Sequence, residues 1–128
     1  MPETHHMTIL FVDDDKVLSY LFKRAFSDYY NILFAKNTAE ALEKLAGNEV
    51  QIVLSDHHLP GATGIEFLKK VKVNYPQIIR IFITGSENME IREQAEKECG
   101  ISYFVSKPWN ETELLKVLKG AEKLSLKK

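Results

Sequence analysis

Residues 8–26 read TILFVDDDKVLSYLFKRAF, and this stretch carries two periodicities joined by a charged triplet. Ile9, Leu10, Phe11 and Val12 are apolar without alternation, as in a strand buried on both faces. From Val17 the pattern changes. Val17, Leu18, Leu21, Phe22, Ala25 and Phe26 fall on one face of a helix with 3.6 residues per turn. Between the two segments stand Asp13, Asp14 and Asp15, the last placed to cap the helix. A buried strand feeding an amphipathic helix begins a strand–helix–strand unit, because parallel strands need a crossover between them.

Read outward from there, the unit recurs. Strand-like runs occupy residues 31–35, 51–55, 78–83 and 103–106, with a helix-period segment in each gap. The second helix is expected to start on Thr38 as N-cap, with Ala41, Leu42 and Leu45 behind it. The third carries Ile65, Leu68 and Val71 and closes at Tyr75-Pro76. A fourth spans about residues 87–98 and stops at Cys99-Gly100. The fifth opens on Asn110 with Glu113 three residues on, and presents Leu114, Leu115, Leu118 and Ala121. Five strands alternating with five helices predict an α/β fold, a doubly wound parallel sheet with helices on both faces. One domain is expected over residues 1–128, with its core at 8–124 and flexible ends at 1–7 and 125–128.

Composition narrows the function. A chain of 128 residues has room for one core. With 17 Lys+Arg against 18 Asp+Glu the net charge is −1, so no basic field draws nucleic acid or an anionic membrane. No apolar run approaches the roughly 18 residues of a membrane span, and Met1–Met7 lacks the form of a signal peptide. Cys99 is the single cysteine, which excludes an internal disulfide and fits a reducing compartment. A cytoplasmic domain with neither nucleic acid nor membrane as direct partner is the expectation.

In such sheets ligands bind beyond the carboxyl ends of the strands. Asp13 and Asp14 stand after the first strand, Asp56 after the third, Thr84-Gly85-Ser86 at the end of the fourth, and Lys107-Pro108 after the fifth. Clustered carboxylates raise one another's pKa unless a cation intervenes. Asp13, Asp14 and Asp56 form a hard-oxygen set suited to Mg²⁺, and no spaced His/Cys set offers itself to a softer metal. A carboxylate beside such an ion can attack phosphorus. Phosphoryl transfer then needs positioning and charge neutralisation, for which Lys107 offers an ammonium and Thr84 a hydroxyl. The adjacent His57 and His58 are expected to point apart and are not read as metal ligands through their rings. Cys99 reads as a small buried hydrophobe.

In this order the motifs resemble the response-regulator receiver domain of two-component signalling, over about Thr8 to Leu124. They are Ile9-Leu10-Phe11-Val12-Asp13-Asp14-Asp15; Val53-Leu54-Ser55-Asp56 with Leu59-Pro60-Gly61 and Gly64; Ile83-Thr84-Gly85; and Lys107-Pro108. The resemblance implies a flavodoxin-like (βα)5 sheet in the order 2-1-3-4-5. It makes Asp56 the phosphoacceptor, with Mg²⁺ held by Asp13, Asp14, Asp56 and the backbone carbonyl of His58. Thr84 and Lys107 contact the phosphoryl group, and Lys107–Pro108 is a cis peptide. Thr84 and Phe104 act as the switch, while His58 and Ser86 set the phosphoryl lifetime. The implied partners are a sensor histidine kinase or phosphotransfer protein, and a downstream output domain or protein; a phosphorylation-dependent homodimer is allowed. Such a domain carries a signal and turns over no external substrate. Thr63 stands where the family often has an acidic residue, in a loop with no chemical task expected. Trp109 after Lys107-Pro108 is similar to receivers joined to cyclic-dinucleotide phosphodiesterases.

Two rival readings stand beside it. Asp13-x-Asp15 also matches the opening motif of haloacid-dehalogenase-type phosphatases, with Asp13 as nucleophile and Asp15 as general acid. That family needs an acidic pair after the lysine, where only Glu111, Glu113 and Glu122 occur, all in a helix. It also leaves Asp56 without a role. A non-phosphorylated interaction module on the same fold predicts an eroded acidic set, and here the set is intact.

Overall fold

The computed structural model describes residues 6–85 and 89–127. In chain order the elements are β1 (Thr8–Val12), α1 (Lys16–Phe26), β2 (Asn31–Ala35), α2 (Thr38–Gly47), β3 (Ile52–Asp56), α3 (Gly64–Asn74), β4 (Ile79–Thr84), α4 (Met89–Cys99), β5 (Tyr103–Ser106) and α5 (Glu111–Leu126). The strands form one sheet in the order β2-β1-β3-β4-β5, all neighbours parallel. This is the flavodoxin-like doubly wound sheet expected from the motifs.

Side chains alternate along each strand, so the three central strands feed two cores at once. Ile9, Phe11, Ile52, Leu54, Ile79, Ile81 and Ile83 meet Phe22 and Phe26 of α1 and Leu114, Leu118 and Ala121 of α5. On the opposite face Leu10, Val12, Val53 and Phe82 meet residues of α2, α3 and α4, among them Leu45, Leu68, Ala95 and Cys99. Burial on both faces is why these strands read as unbroken apolar runs.

The helix starts are set by side-chain caps. Asp15 accepts from the amides of Val17 and Leu18, and Asn110 from that of Glu113, as their positions predict. At α2 the cap is Asn37, which accepts from the Glu40 amide at 2.8 Å. Thr38 is the first helical residue and is buried, a correction to the expected cap. Two cap-forming residues stand side by side, and the one with extended backbone (φ −155°) takes the role. Thr63, expected to have no task, forms a reciprocal capping box with Glu66 that starts α3. Residue 87, where α4 was expected to begin, lies outside the described residues, and α5 continues through Leu126. Among the described residues no helix is long and apolar enough to cross a membrane.

Cys99 ends α4 with no solvent exposure, its thiol donating to the Ile65 carbonyl at 3.4 Å. Burial pushes the thiol up to about 11, with the charge of Glu98 adding to the effect. The folded state therefore favours the protonated thiol, a stabilisation that is lost as pH rises from the ordinary thiol range through that value. At pH 8 alkylation by iodoacetamide should run at least about 100-fold slower than in the unfolded chain, since the thiol is both held protonated and closed to the reagent. Equal rates in native buffer and in denaturant would contradict this placement.

Candidate functional site

The carboxyl edge of the sheet splits the acidic triplet three ways. Asp13 continues β1 by one residue, its amide donating to Ala35 O at 3.0 Å, and its side chain is buried. Asp13 Oδ1 accepts from the Asp15 amide at 2.9 Å. Asp14 turns to solvent. Asp15 spends its carboxylate on the α1 cap, which removes the general acid that the phosphatase reading requires.

Asp56 is the last residue of β3 and only 6% exposed. Its Oδ1 accepts from the amide of His57 at 2.9 Å. Its Oδ2 lies 3.3 Å from Lys107 Nζ, and the same ammonium lies 3.0 Å from Asp13 Oδ2. One lysine thus stands between two buried carboxylates. Burial pushes the Asp56 carboxyl above its usual range and the charge of Asp13 adds to this, while Lys107 opposes them without prevailing. Burial works against the charge of Lys107 as well, but its hydrogen bond to Asp13 and the charges of Asp56 and Asp13 outweigh it and hold the ammonium above the ordinary lysine range.

Carboxylate oxygens of Asp13, Asp14 and Asp56 lie within 4.8 Å of one another. Three hard oxygen donors against one ammonium leave an excess of negative charge at the edge, and the set fits a small divalent cation. It is the one such group of three ligand-type side chains among the described residues.

The α3 N-terminus presses directly on this strand end. The Gly64 amide donates to His57 O at 2.8 Å. A Cβ on Gly64 would overlap Asp56 O and lie 2.8 Å from His57 Cα, so the approach is open to glycine alone. At the neighbouring turn Gly61 adopts a φ of 88°.

The remaining predicted residues fall around this centre. Thr84 ends β4, buried, and pairs in register with Ser106; its carbonyl accepts from the Lys107 amide at 3.1 Å. The Lys107–Pro108 peptide is cis. Phe104 is half-buried on β5, its ring 6.0 Å from that of Phe82 and nearly perpendicular to it. His58 is exposed beside the acidic loop, and Ser86 lies outside the described residues.

The two histidines do not point apart. Their rings meet at 5.1 Å with an interplanar angle of 63°, and His57 is buried with its ring 5.6 Å from that of Phe82. Strand alternation ends at Asp56, so it no longer governs where His58 goes, and His57 turns onto the sheet's aromatic face. One residue escaped the sequence reading altogether. Arg92 of α4 lays its guanidinium over the Phe104 ring, 4.8 Å from the centroid. Its place three residues into a polar helix gave no signal.

Residues 9–119 match the family model for the response regulator receiver domain. The chain is 32% identical over 114 residues to the hydrogenase transcriptional regulatory protein HoxA of Cupriavidus necator, covering 89% of this chain and 24% of that protein. It is 32% identical over 116 residues to a cyclic di-GMP phosphodiesterase of Thermotoga maritima, covering 87% of this chain and 29% of that protein. Among solved structures, the signal receiver domain of an HD domain-containing protein from Pseudomonas fluorescens Pf-5 superposes with a TM-score of 0.93 at 32% identity. The match covers 99% of this chain and 94% of that one. The chain spans about a quarter of the length of the two curated relatives.

Proposed function

The chain belongs to the response regulator receiver domain family, signalling modules of two-component systems, and on that premise we propose that it accepts a phosphoryl group on Asp56. The observation that carries the reading is the single ammonium of Lys107 bonded to both Asp13 and Asp56, with Asp14 beside them. The donor is the phosphohistidine of a sensor kinase or phosphotransfer protein. An Asp56 carboxylate oxygen forms a bond to phosphorus as the phosphorus–nitrogen bond breaks. The donor imidazole, protonated on its other nitrogen, leaves as the neutral ring.

Each residue has a task in that displacement. Asp13, Asp14 and Asp56, with the backbone carbonyl of His58, would hold Mg²⁺, which supplies neutralising charge to the phosphoryl oxygens. The His57 amide fixes the rotamer of Asp56 through Oδ1. Lys107 exchanges its bond to Asp56 for one to the incoming oxygens, and the Thr84 hydroxyl donates to another. Water later cleaves the acyl phosphate, with His58 and Ser86 beside its approach setting the lifetime.

The modified carboxyl draws Thr84 inward and Phe104 follows, shifting the populations of two conformers of the face formed by α4, β5 and α5. The domain acts in the cytoplasm as a signal carrier, without turnover of an external substrate, toward an output domain or a separate protein. A homodimer through the switched face is one such output. Relatives that match over the same region bear the names of a transcriptional regulator and of a phosphodiesterase, so the sheet and its acidic edge do not select the output.

Acetyl phosphate with Mg²⁺, followed by peptide mapping, tests the assignment. An aspartyl phosphate on Asp56 at up to one per chain is the expected result. An adduct on Asp13 with multiple turnover of a phosphomonoester would make the protein a phosphatase of the dehalogenase type. No adduct on the native chain would make it an interaction module.

A further inference from the structure

A row of rings runs from the site to the surface of α4. His57, whose amide orients the Asp56 carboxylate, packs its ring on Phe82 at 5.6 Å. Phe82, fully buried, meets Phe104 at 6.0 Å, and Arg92 lies over Phe104 at 4.8 Å. His57 Nδ1 is buried and has no hydrogen-bond partner among the described residues. Ring contacts, then, and no hydrogen bond at that atom, place the imidazole.

The far end of α4 is tied down separately. The Cys99 thiol donates to Ile65 O, Arg80 Nε donates to Cys99 O at 2.7 Å, and Lys69 pairs with Glu98 at 3.0 Å. Near its start, Arg92 gives the helix a contact with the sheet's edge strand through Phe104. Register places Phe104 beside Phe82 and puts Thr84 one pleat further along the same face. A move of the Phe104 ring toward Thr84 therefore carries it along the sheet, away from the position in which it meets the guanidinium.

We infer that Arg92 sets the switching threshold: its cation–π contact holds Phe104 in the position seen here, and phosphorylation must break that contact before the α4 face can change. The inference rests on the reading of Asp56 as phosphoacceptor and Phe104 as the aromatic that follows it. It adds a restraint supplied by this chain's own helix. Removing the guanidinium should leave the acidic edge untouched and make the switched conformer easier to reach. A ligand that prefers that conformer then binds more tightly.

The probe is beryllofluoride, titrated in the presence of Mg²⁺ and followed by ¹⁹F NMR. Arg92→Gln should tighten beryllofluoride binding by about fivefold, the scale of a partly desolvated cation–π contact, with the affinity for Mg²⁺ alone unchanged. Arg92→Lys, which keeps a cation over the ring, should fall between Gln and the native chain. In a Phe104→Leu background, Arg92→Gln should have no further effect, because the partner ring is gone. Native affinity in Arg92→Gln would overturn the inference, and so would equal tightening in the Phe104→Leu background. If the native protein binds Mg²⁺ but forms no beryllofluoride adduct, the phosphoacceptor reading itself fails, a separate outcome.

Discussion

Asp56→Asn should cut phosphoryl incorporation from acetyl phosphate by roughly six orders of magnitude, to below detection, the scale on which losing a nucleophile removes covalent chemistry. The same variant should be more stable than the native chain when Mg²⁺ is chelated. Both effects come from the carboxylate's position. It is the carboxylate that ends β3, and it has been taken out of water to be there. Burial first, then the charge of Asp13, pushes its pKa above the unfolded value despite Lys107. For a group raised in this way the stabilising contribution is full at pH values below the unfolded pKa and is lost as pH rises through the folded one. The charged form of Asp56 is thus disfavoured in the folded chain, whereas asparagine has no charge to desolvate and Lys107 keeps its 3.0 Å partner in Asp13. Thermal unfolding in EDTA, beside intact-mass measurement after acetyl phosphate, reads both effects. A variant that melts lower in EDTA, or that is still phosphorylated at the native rate, would refute the account.

Gly64→Ala should destabilise the fold by about 2 kcal/mol, in the range for forcing an atom into a filled space, and lower the melting temperature by roughly 8 °C. Helix propensity alone predicts the opposite, since alanine gains close to 1 kcal/mol over glycine inside a helix. The sign is decided by what the methyl group meets. It would overlap the Asp56 carbonyl oxygen and press on His57 Cα, both backbone, neither free to rotate away. Relief requires α3 to retreat from β3, which breaks the 2.8 Å bond from the Gly64 amide to His57 O. It also disturbs the peptide whose amide holds Asp56 Oδ1. Phosphorylation should therefore slow together with the loss of stability. By contrast Gly47, where a Cβ has open space and φ is unremarkable, should accept alanine without loss. A Gly64→Ala protein with native melting temperature and native labelling would show that the strand end tolerates the shift.

The elements were legible because burial on both faces leaves strands such as Ile9–Val12 and Ile52–Leu54 without polar interruptions, and because Asp15, Asn110 and Gly100 punctuate the helices with standard end chemistry. The acidic edge was legible for a topological reason. Once the strands are parallel, residues that end them must converge, and Asp13, Asp56, Thr84 and Lys107 end four of five. What escaped was fixed by contacts across the fold. Asn37 and Thr38 compete for one cap, and only the local backbone decides between them. His57 follows Phe82, a ring contact made across the fold with a residue on a different strand. Arg92 lies in a stretch of charged residues, and nothing in the sequence ties its guanidinium to a ring on another element. Thr63 is different, since Thr-x-x-Glu before an apolar run is a readable signature of a helix start.

Lys107 bears on how the domain is made in the cell. An edge built from three carboxylates would ordinarily make assembly wait for a cation from solution. Here the last strand delivers a positive charge of its own, 3.0 Å from Asp13 and 3.3 Å from Asp56, as soon as β5 docks. The edge thereby carries a balancing charge of its own, and the fold need not wait for a cation to close it. A newly synthesised copy can complete its sheet from its own sequence alone.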